Sequence, residues 1–461
     1  MKHCLSIIRT CTVMSLAVCC LVAVLAAPAL GSGFALIEQS VSGLGNAFAG
    51  GAAGAEDAST IFFNPAGMTL LNGTQAVAGV HIIMPSAKFH NEGSTHVLQA
   101  KTGVPLLGGN SGDAGVTKGV PNFYVMRRLS DSISVGLGVT APFGLATDYD
   151  SDWVGRYHAL RSDVMTVDIN PSVAVKINDK VSVGGGISIQ YMKATLSNAI
   201  DFGTLDAVGA FAPLGIPAGA LKLIPQKSDG LVELKGDDWG IGYNLGLLLQ
   251  LSEKTRAGVA YRSSVRHSLE GDSSFSNVPA GLSKAPLFKN VPISSHIRLP
   301  DTASVSVYHR VNPRWALMAD VTWTNWSLFD ELRIKFSNPY QADGVTTTKW
   351  RDSLRYSVGA TYTPDATWTF RGGIAYDETP ITDAMFRTPR IPDGSRLWLA
   401  GGIGYKISRS FLVNVGYAHL FVQDPKIDKS VASPEEQTRG GLKGTYDASV
   451  NILSAQLTWN F

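Results

Sequence analysis

A chain of 461 residues is long enough for several soluble domains, yet no linker or composition shift marks a boundary between them. Its 39 basic and 37 acidic residues leave a formal charge of +2, and a balance that close to zero argues against a nucleic-acid partner. Beyond residue 31 no stretch approaches 18 uninterrupted apolar residues, which excludes a helical membrane protein.

The first 31 residues read as a secretory signal peptide. Lys2 and Arg9 precede an apolar run from Val13 to Ala27, followed by Pro28 and the small residues Ala29 and Gly31. Cleavage is expected after Gly31, and the run is short for an anchor, which needs about 20 apolar residues. Leu16-Ala17-Val18-Cys19 is a poor lipoprotein signal, because Val18 is unsuited and the apolar run continues past it. All four cysteines (Cys4, Cys11, Cys19, Cys20) fall in this leader, so the mature chain is expected to have no thiol or disulfide chemistry. Removing Lys2 and Arg9 takes the 39 basic residues to 37, against 37 acidic ones.

Residues 32–73 read as a compact plug. Gly43, Gly45, Gly50, Gly51 and Gly54, interleaved with alanines, leave too little side-chain surface for an independent core and favour close backbone approach. A flexible Gly/Ala linker is the alternative, but Phe34, Leu36, Ile37, Phe48, Ile61, Phe62 and Phe63 are too apolar for a solvated tether.

From residue 74 to 461 the chain alternates polar and apolar residues in runs bounded by turns. The clearest case is the last, where Leu453, Ala455, Leu457, Trp459 and Phe461 alternate with Ser454, Gln456, Thr458 and Asn460. Fourteen strands are placed at 74–89, 119–129, 131–147, 159–177, 180–197, 230–251, 254–271, 293–311, 313–336, 347–363, 366–377, 394–406, 409–423 and 445–461. Tight turns at Leu129-Ser130-Asp131, Asn178-Asp179, Ser252-Glu253-Lys254, Val311-Asn312-Pro313, Pro364-Asp365 and Ser408-Arg409 alternate with loops of about 12 to about 30 residues, the asymmetry of a bacterial outer-membrane β-barrel. Tyr191, Tyr261, Trp315, Trp323, Tyr362, Tyr405 and Trp459 fall on the outward parity, as interfacial girdles require. The fold class is therefore all-β, a 14-stranded antiparallel transmembrane barrel. A lumen of that size lies between side-chain-filled and water-filled barrels and needs a stopper, for which 32–73 is the obvious segment. The terminal Phe461 resembles the signal read by barrel-assembly machinery.

Several features bear on function. The outer loop from about Asn198 to Gly230 is unusually apolar, and the loop at 272–292 adds Phe275, Val278, Leu282, Leu287 and Phe288. Exposed apolar patches mark contact with something apolar; the alternative, compatible with it, is that the loops merely pack on each other as a lid. Pro142 cannot donate to a ladder, and with Gly144 beside it a kink is expected in the third strand around Ala141, Pro142, Phe143 and Gly144. Gly184-Gly185-Gly186 reads as wall passing close to the plug. Strand parity points Lys349, Arg351 and Arg355 inward, either toward a ligand or toward Glu56 and Asp57 of the plug. GxSxG, GxGxxG, P-loop and HExxH patterns are all missing, and Gly240, Gly242 and Gly246 do not have dinucleotide spacing. No enzyme activity, cofactor or metal is expected.

Gly33-Phe34, Ser42-Gly43-Leu44-Gly45 with Ala47 and Gly50, Asp57-Ala58 and Asn64-Pro65-Ala66 carry a resemblance to the FadL-type outer-membrane transporters of long-chain fatty acids and other hydrophobic compounds. The resemblance implies a hatch plugging a 14-stranded barrel, a lateral exit at the third-strand kink, and Phe34 reaching into the ligand pocket. It implies passive uptake of hydrophobic molecules, long-chain fatty acids first, across an outer membrane of lipid and lipopolysaccharide. The family's carboxylate anchors fall here on Ala141, Asn198 and about Thr346, which depart from its pattern; Lys193, Lys349, Arg351 and Arg355 are near enough to substitute. Neutral aliphatic or aromatic hydrocarbons are accordingly the alternative cargo, with a general porin or an outer-membrane lipase behind.

Overall fold

The computed structural model describes residues 33–461. The leader, its four cysteines and the cleavage position lie outside the described residues.

Twenty strand segments form one sheet, and six of them continue a neighbour across a short interruption, so the wall has fourteen strands. These are β1 (Thr74–Asn91), β2 (Lys118–Arg128), β3 (Ile133–Thr140 and Gly144–Asp148), β4 (Arg161–Lys176), β5 (Val181–Asp201), β6 (Asp229–Ser252) and β7 (Thr255–Arg262 and Val265–Ser276). The second half comprises β8 (Pro292–Leu299 and Thr302–Arg310), β9 (Trp315–Thr324 and Glu331–Phe336), β10 (Gly344–Thr347 and Ser353–Tyr362), β11 (Trp368–Asp377), β12 (Arg396–Lys406), β13 (Phe411–Val422 and Lys426–Lys429) and β14 (Leu442–Asn460). β14 pairs antiparallel with β1 from Gln75↔Asn460 to Asn91↔Gly444, closing the barrel so that neither edge is left open.

Alternation along each strand is inverted relative to a soluble barrel. In β14 the polar Ser454, Gln456 and Thr458 are buried, while Leu453, Leu457 and Trp459 are 43–49% exposed on the outer face. An apolar outside and polar inside is what a hydrocarbon surround demands. Outward aromatics pair across strands near the short turns: Trp315 with Tyr362, and Trp368 with Tyr405, each at 4.6 Å between ring centroids. Toward the long-loop end Tyr191 packs on Trp239 at 5.2 Å.

Residues 33–73 fill the lumen. They form α1 (Val41–Gly45), α2 (Gly51–Gly54), α3 (Thr60–Phe63) and a 3-10 turn, Pro65–Leu70. Ser40 caps α1 by accepting from the Gly43 amide at 3.1 Å. Asn64 caps the 3-10 turn through the Ala66 amide at 3.0 Å, and its amide group donates to the carbonyls of Ala52 at 2.7 Å and Leu247 at 3.0 Å. One side chain thereby ties two plug turns to β6. Pro65 begins the turn at a position where its missing N–H costs nothing. Glu56 pairs with Arg371 of β11 at 2.8 Å, and Asp57 accepts from Ser42 and from Gln456 of β14, both at 2.8 Å.

The wall approaches the plug through inward glycines. A Cβ on Gly184 would strike the backbone of Pro65 and Ala66, and one on Gly45 would sit 2.9 Å from Arg371 Cβ. Within the plug itself a Cβ on Gly43 would lie 3.0 Å from Phe48. Such contact distances leave no room for any larger residue.

The structure departs from the sequence placement in one systematic way. Five of the strands expected to be continuous are interrupted, at 141–143, 263–264, 300–301, 325–330 and 348–352. The last of these overturns an expectation. Within it Trp350 is buried while Lys349, at φ 43°, and Arg351 are exposed; the inward phase slips by one residue between Trp350 and Ser353, where the strand resumes.

Candidate functional site: a cavity between the plug and a break in the wall

The break in β3 has direct consequences for its neighbours. The β2–β3 ladder runs only from Phe123↔Val139 to Arg128↔Ser134. Beyond it, Lys118–Asn122 pair with β1, and Gly144–Asp148 pair with β4. The seam between β2 and β3 therefore parts toward the long-loop end.

Backbone groups freed by such a break must find other partners, and here the plug supplies most of them. Leu36 N–H donates to the Pro142 carbonyl at 2.8 Å, and Gly144 N–H to the Phe34 carbonyl at 3.0 Å. The Gln39 side chain donates to the Ala141 carbonyl at 2.8 Å and accepts from the Ala141 amide at 3.3 Å. Thr166 of β4 completes the set, its hydroxyl accepting from Phe143 N–H at 2.9 Å. Residues 33–39 act as a strap across the inside of the break, so plug position and wall integrity are one hydrogen-bond system.

Behind the strap lies a cavity of about 450 Å³, within the range of small-molecule sites. Its lining joins the lumen to the outer face: Phe34, Leu36, Trp398, Leu420 and Val450 on the inside, then Val139, Ala141, Phe143 and Leu145, and finally Val116 and Met165, the latter 45% exposed. Phe34 anchors the strap in an aromatic cluster, with ring centroids 4.8 Å from Trp326, 5.8 Å from Phe329, and 6.0 Å from both Phe143 and Trp350. Gly33 before it has φ +65°, and a Cβ there would lie 2.8 Å from Trp350. Only glycine meets both conditions.

A second cavity, of about 420 Å³, opens among the outer loops. Leu205, Phe211, Leu287 and Phe288 line it together with Phe275, Leu332, Ile334 and Phe336 from the strand ends. The loops also pack on each other: Phe211 and Leu282 are buried, and Phe202 meets Phe288 edge-on at 4.9 Å. The loops thus pack on each other and still leave an apolar cavity between them.

The expected site residues separate into three groups. Phe34, Ala141, Phe143 and Gly144 line the inner cavity, with Pro142 on its far side facing a smaller space. Gly43, Gly45, Asn64, Pro65 and Ala66 sit in the plug as described. The basic candidates are not brought together. Lys193 is exposed on the outer parity of β5, two residues from Tyr191. Lys349 and Arg351 point away for the reason given above, and Lys349 lies over the Phe386 ring at 5.2 Å. Arg355 is inward and buried, its Nη2 donating to the Ala47 carbonyl at 2.9 Å and its guanidinium lying 5.0 Å from the Trp398 ring, while Nε and Nη1 have no hydrogen-bond partner among the described residues. Asn198 lines the outer cavity, its oxygen accepting from Arg390 at 3.2 Å. Sequence reasoning missed Gln39, Thr166, Asp393 and Arg396; Arg396 opens a strand three residues after Asp393, a spacing that signals an ion pair but not its target.

Comparison with known proteins places this arrangement among relatives. Residues 22–461 match the family model described as outer membrane protein transport protein (OMPP1/FadL/TodX). The long-chain fatty acid transport protein of Escherichia coli O6:H1 is 32% identical over 443 residues, covering 92% of this chain and 95% of that protein. The crystal structure of a Pseudomonas aeruginosa FadL homologue superposes with a TM-score of 0.81 at 25% identity, over 93% of this chain and 100% of the other. The Pseudomonas putida toluene transporter TodX shares the fold, with a TM-score of 0.65 at 17% identity over 93% of this chain and 100% of its own.

Proposed function

Since the chain belongs to the OMPP1/FadL/TodX family of outer membrane transport proteins, we propose that it takes up long-chain fatty acids by lateral diffusion through the β3 break. Cargo is captured in the apolar cavity of the outer loops, passes to the inner cavity beside Phe34, and leaves sideways into the bilayer. The observation that carries this reading is the inner cavity's lining, which runs without interruption from Trp398 in the lumen to Met165 on the outer face.

Magnitudes dictate what release needs. Each buried methylene contributes about 0.8 kcal/mol, so a long acyl chain held between Phe34 and Val450 would dwell long in a rigid pocket. Displacement of the strap solves this, because the same residues wall the cavity and satisfy the broken strand. Moving it empties the pocket and widens the seam together, with the cargo's own gradient as the only drive.

Carriage of neutral hydrocarbons is favoured by one observation: Lys193, Lys349 and Arg351 face away from the cavity. The uptake reading itself is tested by Ala141→Arg, which puts a charge in the opening. Uptake of labelled oleate by cells should fall about tenfold or more, as expected for a cation in an apolar passage, while the heat-modifiable barrel band on a gel stays unchanged. Undiminished uptake would contradict lateral exit.

A further inference from the structure

The inner end of the cavity holds a charged cluster around Asp393 and Arg396. Arg396, the first residue of β12, donates to Asp393 Oδ1 at 2.6 Å and to the Gly33 carbonyl at 3.1 Å. Asp393 Oδ2 accepts from the Gly33 amide at 3.0 Å and from the Thr379 hydroxyl. Both backbone polar groups of Gly33, where the strap begins, are thus gripped by a single ion pair. Asp393 and Arg396 also line the cavity.

The other charges of that lining narrow the choice of head-group partner. Lys118 and Asp163 pair with each other at 2.8 Å near the outer mouth. That leaves Arg396 as the remaining cation of this lining, with Arg355 in the adjoining smaller space. Across from Arg396, Glu38 is buried, with Oε2 lacking a hydrogen-bond partner among the described residues. A buried acid oxygen without a partner is costly, and this one lies where a ligand's polar end would come to rest.

Resting on the uptake reading, we propose that Arg396 receives the carboxylate of a long-chain acid, and that it does so by leaving Asp393 and Gly33, so that head-group capture unlatches the strap. A guanidinium offers a carboxylate the same two-pronged contact it now gives Asp393. One charge-assisted pair replaces another, and burial of the acyl chain tips the exchange. A neutral hydrocarbon fills the same cavity without touching the latch.

The test measures binding of palmitate and of hexadecanol to the purified mature protein in lipid nanodiscs, read from tryptophan fluorescence, since Trp326 and Trp350 pack against Phe34. Wild type should prefer palmitate by about tenfold or more, the range of a charge-assisted contact. Arg396→Gln should bring the palmitate-to-hexadecanol ratio close to one, and Asp393→Asn should raise it, because Arg396 is then freed. Arg351→Gln, exposed and away from the cavity, should leave the ratio alone. A ratio untouched by Arg396→Gln, or lowered by both Arg396→Gln and Asp393→Asn, overturns the latch. Binding of neither ligand by wild type overturns the uptake reading beneath it.

Discussion

Single side chains decide how the plug is held. Asn64 spends both side-chain N–H donors on Ala52 and Leu247 and accepts from Ala66, so Asn64→Ala leaves three backbone groups short. The cost should be about 1–3 kcal/mol, seen as a lower urea midpoint for protease access to the plug while the barrel stays intact. Glu38 shows the opposite economy. Burial pushes its carboxyl up to about 7, against its backbone hydrogen bond, Arg396 and Arg355, with Asp377 adding to the rise. Because the seated plug holds that proton more tightly than the free chain does, stability is full below about 4.5 and is lost as pH rises toward 7. Glu38→Gln should therefore raise the plug's urea midpoint at pH 8 and change little at pH 4; a loss at pH 8 would show that the ionised form is the stabilising one. Asn64-Pro65-Ala66 was legible because cap chemistry is local. Lys349 and Arg351 were misread because they lie in the interruption at 348–352, where the inward phase slips by one residue before Ser353, and the sequence alternation carries no mark of that slip.

At the scale of elements, strand number and the alternation of short turns with long loops could be read from periodicity and turn residues. The interruptions could not, except where Pro142 announced one, since a strand that stops and resumes keeps its two-residue rhythm. Glycines on the inner face record the plug's outline: Gly184→Val should force Pro65 and Ala66 off the wall, loosening the plug and raising its protease sensitivity without loss of the assembled barrel. The outer loops carry their own acid sensitivity. Burial would raise Glu436, but His158 beside it, with Arg439 and Lys429, holds the carboxyl down at about 2. Its contribution is thus full above about 4.5 and disappears as pH falls toward 2. Limited proteolysis of the loops should rise over that window, and Glu436→Gln should remove the dependence.

For the whole molecule, a closed wall with residues 33–73 packed against its inner face was the part most visible in the sequence. Apolar outward parity and Gly/Ala-rich packing each follow from composition and period alone. What lay beyond reach was the strap, because its partners are more than 100 residues away along the chain. The central claim is that strap movement and lateral passage are one event. Ala35 and Phe143 form an isolated antiparallel bridge, and all four native cysteines sit in the first 20 residues. An Ala35→Cys, Phe143→Cys pair would therefore form a single disulfide holding the strap to the break. Oleate uptake by cells carrying it should be abolished when the pair is oxidised and restored on reduction with dithiothreitol. Equal uptake in the two states would contradict the account.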